Sequence, residues 1–130
     1  MANRTVLDVG CGDNPDPRAT VTADIREETA ADYQFDARDT WPFDDNAVDG
    51  VILNHVVEHF RRDDVEACFR EAARVLRPAG WLEVSVPVGV NYRGDLDHEH
   101  EWDWRTPEQF SHAHRDGWDP DVPFVLADRD

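Results

Sequence analysis

Short apolar blocks separated by glycine, proline and acidic turns organise the first two thirds of the chain. Val6, Leu7 and Val9 make a compact apolar run that stops at Gly10-Cys11-Gly12, the pattern of a buried strand closed by glycine. The segment TVTADI, residues 20–25, is rich in β-branched positions and predicts a second strand ending at Asp24. DYQFDARD, residues 32–39, predicts a weaker third strand. VDGVILNHVVEHF, residues 48–60, opens as an apolar strand through Leu53 and turns helical or loop-like after Asn54.

The helix signal is clearest next. Val65, Cys68, Phe69, Ala72, Ala73 and Leu76 recur at helical spacing and form one apolar stripe. Asp63, three positions before Glu66, predicts a capping box with Asp in place of Ser or Thr, and Pro78 and Gly80 are expected to close the helix. WLEVSVPV, residues 81–88, alternates as a strand with Leu82, Val84 and Val86 on one face. Strands joined by crossovers, one of them helical, imply a parallel sheet and an α/β fold. Beyond Pro87 the periodicity fails. A short helix after Thr106 and a strand over residues 123–127 are the remaining expectations. With no repeat and no linker, residues 1–130 read as one domain, with 1–88 as a binding core and 89–130 as a substrate or cap segment.

Charge changes the picture of the surroundings more than that of the fold. The chain carries 29 acidic residues against 13 basic ones, a net charge of -16, and every basic residue is arginine. Such a chain repels itself in dilute buffer, whereas at about 1 M salt the screening length falls to about 3 Å. A high-salt cytoplasm is the expected setting, with an acidic surface made for a basic partner as the alternative. The charge then says little about the substrate and does not exclude nucleic acid. No apolar run is long enough for a membrane span, and no leader pattern is visible. The two cysteines, Cys11 and Cys68, form no disulfide framework or zinc ribbon.

Gly-x-Gly after a strand lets a ligand approach the backbone closely, and an acidic residue ending the next strand can accept from both hydroxyls of a ribose. Gly10, Gly12 and Asp24 therefore suggest a nucleoside at the carboxyl ends of the strands. The phrases VLDVGCG, ADI, DARDTWPFDDNAVDGVILNHVVEHF and EAARVLRPAGWLEVSVP resemble the class I S-adenosylmethionine-dependent methyltransferases over Val6 to about Pro87. The resemblance implies a three-layer Rossmann-like fold with a mostly parallel sheet. It also implies S-adenosyl-L-methionine as cofactor. Asp8 and the backbone of Gly10, Cys11 and Gly12 would hold its methionine moiety. Asp24 would hold the ribose, with Ile25 against the adenine. Asp36 would accept from the adenine amino group, with the Ala37 N–H facing the ring, and Asn54 and His55 would line the floor near the sulfonium. A methyl acceptor, expected to be a small molecule, is not identified. Three alternatives stand beside this reading. One is a non-catalytic module that keeps the fold for cofactor or partner binding. A nicotinamide-dependent dehydrogenase is disfavoured by the phrase over residues 36–60 and by the missing third glycine. A metal-binding module is the most distant.

Two departures from the family pattern stand out. Asn14 replaces the third glycine, Pro15 and Pro17 follow, and only eleven residues separate Gly12 from Asp24. The first helix is expected to be absent or a single turn, as in a branch of the family resembling GCGxNPxPGxxxxDI. Ala79 stands where glycine is usual. The second departure is the 43-residue remainder after Pro87, too short for the usual two further strands. The truncated sheet would expose an edge, expected to be covered in a homodimer or another association. DLDHEHEWDW, residues 95–104, and HAH, residues 112–114, hold ligand types suited to zinc, nickel or ferrous iron, but convergence is not visible and no metal site is assigned. His98 and His100 are candidates, with His55, for a base facing the substrate, beside Trp102 and Trp104.

Overall fold

The computed structural model describes residues 4–86. Within them the chain runs through β1 (Val6–Val9), β2 (Val21–Asp24), β3 (Tyr33–Gln34), β4 (Val48–Asn54), a short 3-10 turn (Val57–His59), α1 (Arg62–Val75) and β5 (Leu76–Ser85). The five strands form one sheet in the order β3-β2-β1-β4-β5, and every neighbouring pair is parallel. The α/β class follows as the sequence pattern implies. The expected strand and helix over residues 106–127 and the truncated final strands lie outside the described residues.

Alternation along the strands sorts the sheet into two faces. Leu7, Val9, Ala23, Val51 and Leu53 point to one side and meet Val65, Cys68, Phe69, Ala72 and Val75 of α1 in a single core. Each large side chain buried there contributes about 1.5–3 kcal/mol relative to exposure. Leu82, Val84 and Val86 pack against the same core, as their alternation predicts. The other face carries Val6, Asp8, Gly50, Ile52, Trp81 and Glu83, with Asp8, Ile52 and Glu83 in one rank across three strands. Among the described residues no helix covers this face, and none lies between β1 and β2. The crossover, residues 10–20, lies across it instead. Thr20 N–H donates to the Val6 carbonyl at 2.8 Å, and the Arg18 guanidinium sits 5.7 Å from the centre of the Trp81 ring.

Four details differ from the expectation. The third strand shrinks to Tyr33–Gln34, because only Ala23 and Asp24 offer it partners and its side chains are exposed. The capping box is absent: Arg61 is the N-cap and makes no side-chain cap bond. Asp63 and Asp64 sit inside the first turn, where their charge meets the positive end of the helix dipole. The helix also stops at Val75, ahead of Pro78 and Gly80, because Leu76 is already extended and pairs with Val48. β4 continues one residue past Leu53, to Asn54.

The segment WPFDD is part of the architecture. Trp41 is buried, donates its indole N–H to the Ala37 carbonyl at 2.9 Å, and its backbone N–H donates to Glu71 at 2.7 Å. Arg74 donates to the carbonyls of Trp41 and Phe43 at 2.9 and 2.7 Å. Asp49, likewise structural, accepts from Thr5 N–H at 2.7 Å and from Arg77 at 2.9 Å.

Two backbone positions carry testable cost. A Cβ on Gly50 would stand 2.3 Å from the Trp81 ring. Gly50→Ala should lower stability by about 1–3 kcal/mol through overpacking, read as a denaturant midpoint, and Trp81→Leu in the same chain should recover part of the loss. Ala79 has φ +66°, a left-handed conformation. Ala79→Gly should raise stability by about 0.5–1 kcal/mol, since glycine adopts that region freely and loses part of the gain to its unfolded-state entropy. An unchanged midpoint would show that the irregularity of β5 at residues 77–80 relaxes at no cost.

Candidate functional site

The carboxyl ends of β1, β2 and β4 lie side by side, and the loops that follow them frame the candidate crevice. The turn after β1 folds over the end of β2, with Gly10 and Cys11 both donating to the Ala23 carbonyl, at 2.8 and 3.0 Å. Gly10 has φ +79°, and a Cβ there would stand 2.5 Å from Val56 Cγ2. Glycine is therefore required by its own backbone and by the loop that follows β4. Gly12 N–H donates to Asp24 Oδ2 at 2.8 Å, joining the turn to the end of β2.

Asp8 and Asp24 are both buried, and their carboxyls are shifted in opposite directions. Burial pushes the Asp8 carboxyl up, reinforced by the nearby charges of Asp16 and Asp24 and opposed by a backbone N–H. Asp8 Oδ2 accepts from Asp16 N–H at 2.8 Å, while the buried Oδ1 has no hydrogen-bond partner among the described residues. For Asp24, burial pushes up but is outweighed by the N–H groups of Arg26 and Gly12 and by the Arg26 guanidinium, so the carboxyl is held below its usual range. Each Asp24 oxygen keeps acceptor capacity beyond those contacts. Ile25, next along, is 54% exposed, a large apolar side chain open at the mouth of the crevice.

Asp36 lies beyond β3. Arg38 grips it through both oxygens, at 2.9 and 2.6 Å, and this grip is the main reason its carboxyl lies below the usual range. Ala37 is buried beside it, its carbonyl engaged by Trp41. At the end of β4, Asn54 is exposed and pairs in register with Ser85. His55 follows with φ +56°, its backbone N–H on the Ser85 carbonyl at 2.7 Å and its Nδ1 3.5 Å from the buried Glu58 carboxylate. Non-glycine residues held in this conformation cost about 1–3 kcal/mol and concentrate at functional sites. The Cys11 thiol is pushed up by burial and by the charges of Asp8 and Asp24. It donates to the Gly12 carbonyl at 3.4 Å and stays protonated, so Cys11 offers its backbone rather than a nucleophile.

The structure thus brings Asp8, Gly10, Cys11, Gly12, Asp24 and Ile25 to one crevice, with Asn54 and His55 at the adjoining end of β4. Asp36 and Ala37 stand past the end of β3, on the β2 side of the sheet. His98 and His100 lie outside the described residues, as do Trp102 and Trp104. Among the described residues no group of three or more His, Cys, Asp or Glu side chains has metal-binding spacing. A depression of about 100 Å³ adjoins the turn, lined by Cys11, Gly12, Pro15, Thr22 and Ala31 among others. It is well below the roughly 300–1,000 Å³ of small-molecule sites and includes none of Asp24, Asp36 and Asn54. Arg26 and Arg38 escaped the sequence reading. Their signal was local: each stands two residues after an aspartate read as a cofactor contact.

A family profile described as a methyltransferase domain matches residues 7–84. No sequence of a curated protein matches the chain. A SAM-dependent methyltransferase from Archaeoglobus fulgidus superposes with TM-score 0.68 at 19% identity, over 81% of this chain and 57% of its own. One from Thermotoga maritima gives TM-score 0.57 at 16% identity, over 96% and 58%. The complex between the Haloferax volcanii Trm112 methyltransferase activator and a methyltransferase gives TM-score 0.57 at 20% identity, over 81% and 58%. At these identities the likeness is one of fold, and the chain spans less than two thirds of each.

The Arg38 grip has a pH signature. A carboxyl held below its unfolded value stabilises the fold above that value and loses the contribution as pH falls through the folded one. Arg38→Ala should therefore be less stable than the parent well above pH 3.8, with the gap closing as the pH drops below it. Thermal unfolding across pH 6 to about 2 reads this out, and a pH-independent gap would assign the loss to packing against Phe60.

Proposed function

The chain belongs to the methyltransferase domain family matched by residues 7–84, and we propose that it binds S-adenosylmethionine in the crevice between Gly10 and Asp24 and transfers the methyl group to a small-molecule acceptor. The observation that carries this reading is the pairing of carboxylates about one glycine turn. Asp24 is held ionised at the end of β2, and the buried Asp8 keeps one oxygen without a donor among the described residues. The first suits a pair of ribose hydroxyls and the second an ammonium group.

In this reading Asp24 accepts from the ribose, the turn at Gly10, Cys11 and Gly12, whose N–H groups are taken by β2, offers close backbone approach to the amino-acid end beside the Asp8 carboxylate, and Ile25 covers one face of the adenine. Asp36 accepts from the adenine amino group, and Ala37 offers its backbone N–H to the ring. When bound, the cofactor supplies an electrophilic methyl group on a good leaving group. The protein's task is then alignment of the acceptor, and a base is needed only where the acceptor is protonated. Asn54 and His55 would face the reacting centre. His55 is the first candidate base, since its ring is open to solvent on one side and oriented by Glu58 on the other. His98 and His100 remain candidates by sequence alone. No described helix is long and apolar enough to cross a membrane. A high-salt cytoplasmic setting and an association covering a sheet edge, through a second copy or a partner, belong to the same proposal.

Calorimetric titration of S-adenosylmethionine and its demethylated product in molar potassium chloride tests the assignment. Wild-type protein should bind saturably, and Asp24→Ala should bind at least about tenfold more weakly, because hydrogen bonds to a charged acceptor contribute about 1.5–3 kcal/mol. Absence of binding by folded wild-type protein would remove the enzyme reading and leave a module that keeps the fold for another partner.

A further inference from the structure

Arg18 connects three parts of the molecule that the missing helix leaves apart. Its backbone N–H and Nε both donate to Asp16 Oδ1, at 2.8 and 3.0 Å, and Nη2 reaches Asp16 Oδ2 at 2.9 Å. The same guanidinium forks onto Glu83 of β5, with Nη1 on Oε1 at 3.2 Å and Nη2 on Oε2. Its central carbon lies over the Trp81 ring. The backbone N–H of the gripped Asp16 in turn donates to Asp8 Oδ2 at 2.8 Å. Glu83 and Asp8 stand in one rank of the sheet with Ile52 between them, and Ile52 is 2% exposed although it lies outside the core beneath α1. The arginine thus ties the crossover to β5 across that rank and returns it to β1.

We propose that Arg18 is a positioning residue for the amino-acid end of the cofactor: by fixing the crossover on β5 it keeps Asp16 N–H on one Asp8 oxygen and leaves the other aimed at the ligand's ammonium. The inference rests on the cofactor reading above. Stability is a secondary part of the role. Arg18 and Glu83 are 50% and 44% exposed, and exposed ion pairs of this kind contribute little to folding. What the arrangement supplies is geometry, through a planar fork that grips two carboxylates while lying over an aromatic ring. A lysine cannot reproduce it.

The test compares two ligands that differ only at the proposed point of action. S-adenosylhomocysteine carries the amino-acid end, and 5′-methylthioadenosine lacks it. Both are titrated into the full chain in molar potassium chloride. Arg18→Ala should weaken S-adenosylhomocysteine about tenfold, the equivalent of one hydrogen bond to a charged group, and leave 5′-methylthioadenosine unchanged. Arg18→Lys should not rescue the loss. Glu83→Gln, which keeps Arg18 and its place over Trp81, should reproduce the selectivity in smaller measure and serves where the alanine variant fails to fold. Amide exchange at Asp16 should accelerate in the Arg18 variants. Equal losses for both ligands, or none for either, would overturn the positioning role while wild-type binding stands. Failure of folded wild-type protein to bind either ligand is a separate outcome, and it would overturn the cofactor reading itself.

Discussion

Parallel pairing of β1 with β2 obliges the chain to run back along the sheet between Val9 and Val21, and the rest of the structure follows from how few residues do it. Residues 10–20 contain two prolines and two left-handed glycines, and they make no helix. A helix would have covered one sheet face, satisfied its own backbone and aimed a positive end at the strand termini. Here those duties are divided. Thr20 caps the crossover against Val6, Asp16 serves Asp8, and Arg18 spreads over Trp81 to cover the face. The turn that remains has its N–H groups directed into carbonyl and carboxylate acceptors of β2 rather than outward.

Arginine carries more of this architecture than its numbers suggest. At Asp16, Asp24 and Asp36 the same small device recurs: an arginine two residues on donates its backbone N–H to the aspartate and folds its side chain back onto it. Two of the three aspartates are the ones read as cofactor ligands. In a chain with a net charge of -16 and no lysine, each such pair neutralises a carboxylate locally and fixes its direction. Geometry of this kind outlasts screening better than a bare Coulomb attraction, because it depends on short directional bonds rather than on long-range field.

Much of the fold was legible because its signals are local. The Val6–Val9 run appeared where it was read, and the stripe from Val65 to Ala72 is the buried face of α1. Within the phrase over residues 36–60, the segment WPFDD is locked to α1 by Trp41, Glu71 and Arg74, so its spelling records packing. What escaped depends on distance in sequence. Arg18 meets Glu83 across 65 positions, and nothing near either residue announces the other. The helix start was misplaced because Asp63 has the right chemistry for a cap, while the chain turns at Arg61. β3 was overread because its length is set by the partners β2 offers. At the site, Asp8, Gly10, Gly12 and Asp24 were legible by residue type, whereas the unpartnered oxygen of Asp8 depends on where Asp16 folds back.

Gly50 and Trp81 face each other on neighbouring strands, ring against bare backbone, at the centre of the face that the crossover covers. The ring lies where a side chain on β4 would be, and Arg18 rests on the ring. In evolutionary terms the two positions form one heritable unit. A lineage that loses the tryptophan opens a trough over Gly50 and removes the platform beneath the arginine, and one that gains a side chain at position 50 expels the ring. Drift on this side of the sheet must proceed by coupled changes at positions 18, 50 and 81, while the opposite face, packed on α1, is free to exchange one aliphatic residue for another.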